Sequence, residues 1–86
     1  MMRDFEFTVI LSGLPEMTVE ASNQLYEAGC DDGSPGSSCG VSHIDFHRSA
    51  NSLEEAIRSA IGDVLKAGFA VDRVELRELA SLSPAH

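Results

Sequence analysis

Apolar residues recur along this chain with two different periods, and the order of these periods limits the folds that are open to it. Residues 4–11 and 41–47 alternate between apolar and polar side chains, which is the period of a strand with one buried face. In residues 53–65 the apolar positions recur every three or four residues, which is typical of a helix with one buried stripe. The residues predicted to share the buried strand face are Phe5, Phe7, Val9 and Leu11, then Ile44 and Phe46, and the apolar stripe of the helix comprises Leu53, Ala56, Ile57, Ala60, Ile61, Val64 and Leu65.

Local signals mark the ends of this second-half helix. Ser52 and Glu55 fit a capping box, in which the serine hydroxyl and the glutamate satisfy otherwise unpaired amides of the first turn. Lys66 lies in the last turn, where a cation is favoured, and Gly68 is placed to end the helix. The sequence therefore predicts a helix from about residue 53 to residue 67.

A shorter helix is predicted earlier in the chain. It begins near Met17 or Thr18, and the threonine hydroxyl is a candidate N-cap. The helix runs to Ala28, and Gly29 follows as a residue that can adopt a positive φ and stop it.

The segment between this helix and residue 41 has the composition of a turn. Residues 29–40 contain four glycines, three serines and one proline. We expect a brief strand over Cys30–Gly33, followed by a turn at Pro35 and Gly36. A last strand is predicted over residues 71–79, where Val74 and Leu76 interrupt a charged sequence.

The resulting order is strand, helix, strand, strand, helix, strand. This order predicts an α+β domain with a ferredoxin-like βαββαβ fold, in which two helices cover one face of an antiparallel sheet. Strands one and three should be central, with the last strand beside the first. Should the second strand not form, a three-stranded version remains. We expect one domain over residues 1–79 and a C-terminal tail over residues 80–86.

Charge and composition exclude several classes of function. The 86 residues carry a formal net charge of −8 and only six basic side chains, which are scattered, so direct nucleic-acid binding is not expected. Anionic membranes are disfavoured for the same reason, and no apolar run approaches the ~20 residues of a membrane span. Acidic residues at the N-terminus argue against a signal peptide, so the predicted location is the cytoplasm and the two cysteines are expected to be thiols.

Four residues are of types that bind metal ions, namely Cys30, Cys39, His43 and His47. Their spacing lacks the tight pair of cysteines that is usual in zinc sites. On an extended strand His43 and His47 would lie about 13 Å apart, which is too far for both to hold one ion. A metal site that uses these residues is therefore kept as the weaker alternative, and no cofactor is predicted.

The sheet face without helices is the stronger candidate for a site. Outward positions on the predicted strands include both acidic and basic side chains and no aromatic one, which argues against RNA binding. Mixed charges could support a self-complementary contact between copies, or the face could be plainly solvated. The predicted binding residues on this open face are Thr8, Ile10, His43, Asp45, His47, Arg73 and Glu75.

Signals for an enzyme are weak. Cys30 and His43 could in principle form a thiolate–imidazole pair, but no third group that would orient them is identifiable. The glycines at residues 33, 36 and 40 do not lead into a helix N-terminus, so they do not form a phosphate-binding loop. We predict no catalytic residues.

Three stretches of the sequence carry a resemblance to a known group of proteins. FEFTVILSG (5–13), LYEAGCDDG (25–33) and GVSHIDFHRSANSLEEAIRSAIGDVLKAGFAVDRVE (40–75) resemble the N-terminal domain of small uncharacterised bacterial proteins. In those proteins this domain precedes a helix-turn-helix, so the resemblance implies an accessory domain of a DNA-binding regulator, in a toxin–antitoxin or excisionase-like setting. Residues 79–86, LASLSPAH, stand where that helix-turn-helix would begin, so direct DNA binding by these residues is not expected.

Together these observations predict a noncatalytic interaction or oligomerisation module. Its expected partner is a second copy of the chain or another protein, which would bind to the open face or to an edge strand. The alternative is a domain that binds a small ligand or a metal.

Overall fold

The computed structural model describes residues 2–76, which form one four-stranded antiparallel sheet and two helices. The strand order is β2-β3-β1-β4, so β1 and β3 are central and β4 lies beside β1. This confirms the predicted α+β class and strand order, and it is consistent with a ferredoxin-like sandwich. The elements are β1 (Arg3–Ser12), α1 (Val19–Ala28), β2 (Gly33–Ser38), β3 (Val41–Ala50), α2 (Leu53–Lys66) and β4 (Ala70–Leu76). The predicted end of the last strand at residue 79 and the predicted tail over 80–86 lie outside the described residues.

The core lies between the helices and one face of the sheet. Phe7 of β1 and Phe46 of β3 are paired across the two central strands and stack with ring centroids 5.4 Å apart. The alternation predicted for both strands is confirmed, because the predicted inward residues are buried together with residues from both helices. The core residues are Phe5, Phe7, Val9, Leu11, Leu25, Cys30, Ile44, Phe46, Ala50, Ala56, Ala60 and Val64.

Both helices begin at the predicted caps. The Thr18 Oγ1 accepts a hydrogen bond from the amide of Ala21 at 3.1 Å, and the Ser52 Oγ accepts one from the amide of Glu55 at 3.2 Å. The second helix ends as predicted, since Gly68 follows it with a φ of 99°.

The residue that caps the end of the first helix, Gly29, must be glycine for two physical reasons. Its φ is 120°, a conformation that side chains rarely adopt, and a Cβ at this position would lie 2.8 Å from the carboxylate oxygen of Asp63. The second reason was not visible in the sequence, because Asp63 approaches only when α2 packs beside the end of α1.

The prediction for the second strand and its turn was wrong in position. The strand spans Gly33–Ser38 rather than Cys30–Gly33, and the chain reverses at Cys39 and Gly40 instead of at Pro35 and Gly36. Both turn residues have a positive φ, 53° and 79°, which suits a two-residue hairpin between twisted strands. Pro35 is tolerated within β2 because this strand lies at the edge of the sheet.

No helix within residues 2–76 is long and apolar enough to cross a membrane.

Candidate functional site

The strand register brings the predicted binding residues together on the face of the sheet opposite the core. β1 is the middle strand of this arrangement, with β3 on one side and β4 on the other. One row of paired residues runs His43–Ile10–Arg73, the next runs Asp45–Thr8–Glu75, and His47 lies opposite Glu6 in the third.

Two of these residues face outward but are covered by their neighbours. Thr8 is 8% exposed and Ile10 is 7% exposed, because flanking side chains from β3 and β4 close over the central strand. The Thr8 Oγ1 donates a hydrogen bond of 2.6 Å to the carboxylate of Asp45. These two positions therefore stabilise the sheet, and an Ile10→Glu substitution would measure stability rather than a surface contact.

The third row is exposed and polar. The imidazole Nε2 of His47 is 3.7 Å from a carboxylate oxygen of Asp4, and its Nδ1 is 3.6 Å from one of Glu6. All three side chains are more than half exposed, so water screens these contacts strongly. This part of the open face is a solvated polar surface.

The fourth strand presents a free edge and charges of both signs. Within residues 2–76 it pairs only with β1, so the main-chain groups on its outer side have no partner strand. Arg73 contacts Glu75 at 3.2 Å and Asp72 at 2.6 Å, and these side chains are more than half exposed. By contrast, Pro35 lacks an amide hydrogen on the other edge strand, β2, which blunts that edge for pairing.

The four residues of metal-binding type identified in the sequence do not lie close together. Cys30 lies in the core with Ile44, whereas His43 directly precedes Ile44 in β3 and therefore faces the opposite side of the sheet. Cys39 is exposed in the hairpin turn. Among the described residues no three His, Cys, Asp or Glu side chains are grouped so that they could hold a metal ion.

The environment of Cys30 also makes it a poor nucleophile. Burial raises the pKa of its thiol from 9.0 to about 11, and the negative charge of Asp63 adds to this effect. The thiol is therefore protonated at neutral pH, and the thiolate is the reactive form. Cys30 is instead a small buried residue of the core.

Sequence reasoning missed the best-formed polar cluster, which is centred on Arg48. Its Nε and one Nη bond both carboxylate oxygens of Asp32, at 2.7 and 2.8 Å, and the same Nη donates to the carbonyl of Gly29 at 2.9 Å. The other Nη contacts Ser59 at 3.0 Å and Asp63 at 3.1 Å.

This cluster joins parts of the chain that are far apart in sequence. The guanidinium connects β3 with the end of α1 and with α2, and its central carbon lies 5.0 Å from the ring centroid of Phe46. Hydrogen bonding to Asp32 raises the pKa of Arg48, so the side chain stays charged although it is only 11% exposed. Every nitrogen is occupied, so the cluster is structural. Its sequence signal was strand parity, because residue 48 shares a face with Ile44 and Phe46.

Comparisons of the chain with protein-family models, with curated proteins and with solved structures find no match. The resemblance to the N-terminal domains of helix-turn-helix proteins therefore stays a prediction. The fold and surface define an α+β sandwich with one solvated sheet face and one edge strand, β4, that contains no proline.

Proposed function

We propose that this chain is a noncatalytic interaction module that self-associates by antiparallel pairing of strand β4 with β4 of a second copy. The observation that carries this proposal is the free outer edge of β4, together with the order of its charges. Edge strands commonly pair with other chains unless proline, bulges or inward charges prevent it. β4 contains no proline, and its one irregularity, an extra residue at Asp72 in the ladder with β1, leaves residues 73–76 in regular register. Pairing of this kind would join two sheets into one of eight strands.

The charges of β4 are self-complementary about one residue. In a symmetric antiparallel pair, each residue faces the residue equally distant on the other side of the two-fold axis. With the axis at Val74, Arg73 of each copy faces Glu75 of the other. An axis at Arg73 or at Glu75 would instead set two like charges directly opposite each other, which is destabilising.

In such a dimer the open faces of the two sheets would form one continuous surface. Arg73 and Glu75 project from the open face, as their pairing with Ile10 and Thr8 requires. Both reciprocal ion pairs would thus form on the solvated side, while Val74 would meet Val74 of the second copy on the helix side. In the setting that the resemblance implies, a dimer of this kind would hold two copies of a regulator side by side.

Charge reversal and charge exchange test the proposal. Arg73→Glu sets two pairs of carboxylates opposite each other and should weaken association about fourfold or more, since cross-strand charge pairs contribute about 0.2–1 kcal/mol each and two attractions become two repulsions. The double variant Arg73→Glu with Glu75→Arg restores opposite charges in the same register and should recover association. Sedimentation equilibrium across the micromolar range gives the dissociation constants.

The thermal midpoint of each variant serves as the control. Both substitutions are at exposed sites, so the folded chain should melt within a few degrees of the parent protein at equal degrees of association. A parent protein that remains monomeric at the highest concentration would overturn the proposal. So would a double variant that associates no better than Arg73→Glu alone.

A further inference from the structure

One flank of α2 is apolar and is only partly covered by the described residues, since Leu53 and Ile57 pack against the margin of the core whereas Leu65 is exposed. Leu53, Ile57, Ile61 and Leu65 follow each other at intervals of four residues and form a ridge along the helix, called here the α2 ridge. A cleft of about 470 Å³ runs beside it, lined by Leu53, Ile57 and Ile61 and by the aliphatic parts of Glu54 and Arg58. Leu65 is 56% exposed.

The α2 ridge lies on the side of the helix that looks toward the β4 edge. Ser59 and Asp63 occupy the opposite flank, where they contact Arg48 of β3. Ala60 and Val64 face the sheet and are fully buried. At 3.6 residues per turn, the flank opposite Ser59 and Asp63 is the ridge, and in this sheet β4 lies on the far side of β1 from β3.

A glycine occupies one exposed position of the same helix. Gly62 is in the middle of α2, where glycine is unfavourable, and a Cβ placed there would meet nothing within 4 Å. Packing among the described residues therefore does not require glycine at this position.

Edge pairing alone would bury too little surface for a stable dimer. Seven residues of β4 extend about 23 Å, and a strip of about 10 Å width gives roughly 230 Å² per copy. Stable interfaces bury about 800 Å² per partner. A symmetric contact through β4 therefore needs an apolar surface beside the edge, and the α2 ridge is that surface.

We infer that the α2 ridge is the second half of the same self-association interface and packs against the α2 ridge of a second copy. This inference rests on the proposed function, since the two-fold axis at Val74 brings the two ridges to the same side of the joined sheet. The axis also makes the two helices antiparallel. Their four-residue ridges then interdigitate, which is a common mode of helix packing.

Lysine substitutions on two exposed surfaces test the inference in the full chain. Leu65→Lys should raise the dissociation constant of the dimer at least tenfold, because a charge would be buried in an apolar contact. Tyr26→Lys is the matched control, since Tyr26 is 65% exposed on α1, away from the ridge, and this variant should associate within twofold of the parent protein. If Leu65→Lys associates like the parent protein while Arg73→Glu does not, edge pairing stands and the α2 ridge is not part of the interface. If the parent protein is monomeric, both proposals fail.

A labelling experiment supplies a second readout that needs no lysine at position 65. Leu65→Cys in a Cys39→Ser background carries one accessible thiol, because Cys30 is buried. Its reaction with a maleimide should slow at least fivefold as the protein concentration rises through the dissociation constant. A rate independent of concentration, in a sample shown to be dimeric, would overturn the inference.

Discussion

At the scale of single residues, the largely buried Arg48 connects β3 with α2 and with the end of α1, and sequence reasoning did not identify this role. Arg48 lies on the core side of β3, where a charge is costly unless its hydrogen bonds are met. The carboxylates of Asp32 and Asp63 and two further oxygens meet them. The cost of removing this side chain is therefore mainly the cost of leaving two partly buried carboxylates without a cation.

Truncation of Arg48 measures this cost. Arg48→Ala should lower the free energy of unfolding by about 2–4 kcal/mol, because it removes one partner of a largely buried ion-pair cluster. Arg58→Ala breaks a fully solvated pair with Glu54 and should cost less than about 0.5 kcal/mol. Urea unfolding monitored by circular dichroism gives both values. Equal losses in the two variants would show that the Arg48 cluster adds no more than a surface pair.

The Cys30 thiol gives the folded protein an alkaline dependence of stability. Its pKa rises from 9.0 to about 11 on folding, chiefly through burial. Between these values the unfolded chain has lost the proton and the folded chain has kept it, so the free energy of unfolding falls as the pH rises from 9 toward 11. The loss should reach about 2–3 kcal/mol above pH 11.

Urea unfolding at a series of alkaline pH values measures this loss. The Cys30→Ala variant is the control, because other groups also titrate in this range and only the Cys30 contribution should disappear. Identical slopes in the two proteins would contradict the assignment.

At the scale of elements, the caps and the alternation are correctly predicted by local sequence, and the hairpin is not. The Thr18 and Ser52 caps depend on residues within one turn of the helix. The position of β2 depends on pairing with β3, which sets Ser38 opposite Val41 and leaves Cys39 and Gly40 to make the turn. The Pro35-Gly36 pair has stronger intrinsic turn propensity. Strand pairing outweighs that propensity, because a full ladder of backbone hydrogen bonds depends on the register.

Substitution by alanine should change the free energy of unfolding in opposite directions at two glycines, Gly62 within α2 and Gly29 directly after α1. Gly62→Ala should raise the free energy of unfolding of the monomer by about 0.5–1 kcal/mol, because it removes a glycine from a helix interior where space is open. Gly29→Ala should lower it by more than 1 kcal/mol, since φ is 120° and the new Cβ would press on Asp63. The two variants should be compared in the Leu65→Lys background, so that association does not contribute. A destabilising Gly62→Ala would mean that this glycine already has a role within one copy.

At the scale of the whole molecule, the two faces of the sheet differ in kind. One face forms the core with α1 and α2, and the other is solvated and carries most of its charge in exposed side chains. The outer edge of β4 is unpaired and the α2 ridge is only partly covered within the described chain, and the two lie on the same side. Their common position is the reason to regard them as one interface.

The net charge of −8 limits how readily such an interface forms. Two acidic copies repel each other over roughly one Debye length, about 8–10 Å at moderate salt. Reciprocal Arg73–Glu75 pairs oppose this repulsion at the point of contact. The dimer therefore depends on local complementarity and apolar burial rather than on overall charge.

Element order, strand faces and helix ends follow from the sequence by itself. Each of these depends on residues that are close together in the chain: the alternation around Phe7 and Phe46, the capping residues Thr18 and Ser52, and the glycine stops. The open-face positions of His43, Thr8 and Glu75 follow from the same parity once the strands are assigned.

Only the tertiary structure decides the features that depend on distant parts of the chain. Strand pairing moved the hairpin turn to Cys39 and Gly40, and flanking strands covered Ile10 although it faces outward. The packing of α2 beside α1 brings the carboxylates of Asp32 and Asp63 to Arg48. It also places the α2 ridge on the same side as the β4 edge. Local patterns specify the face to which a side chain points. Its contacts depend on strand pairing and helix packing between segments that are distant in sequence, so no short stretch of sequence predicts them.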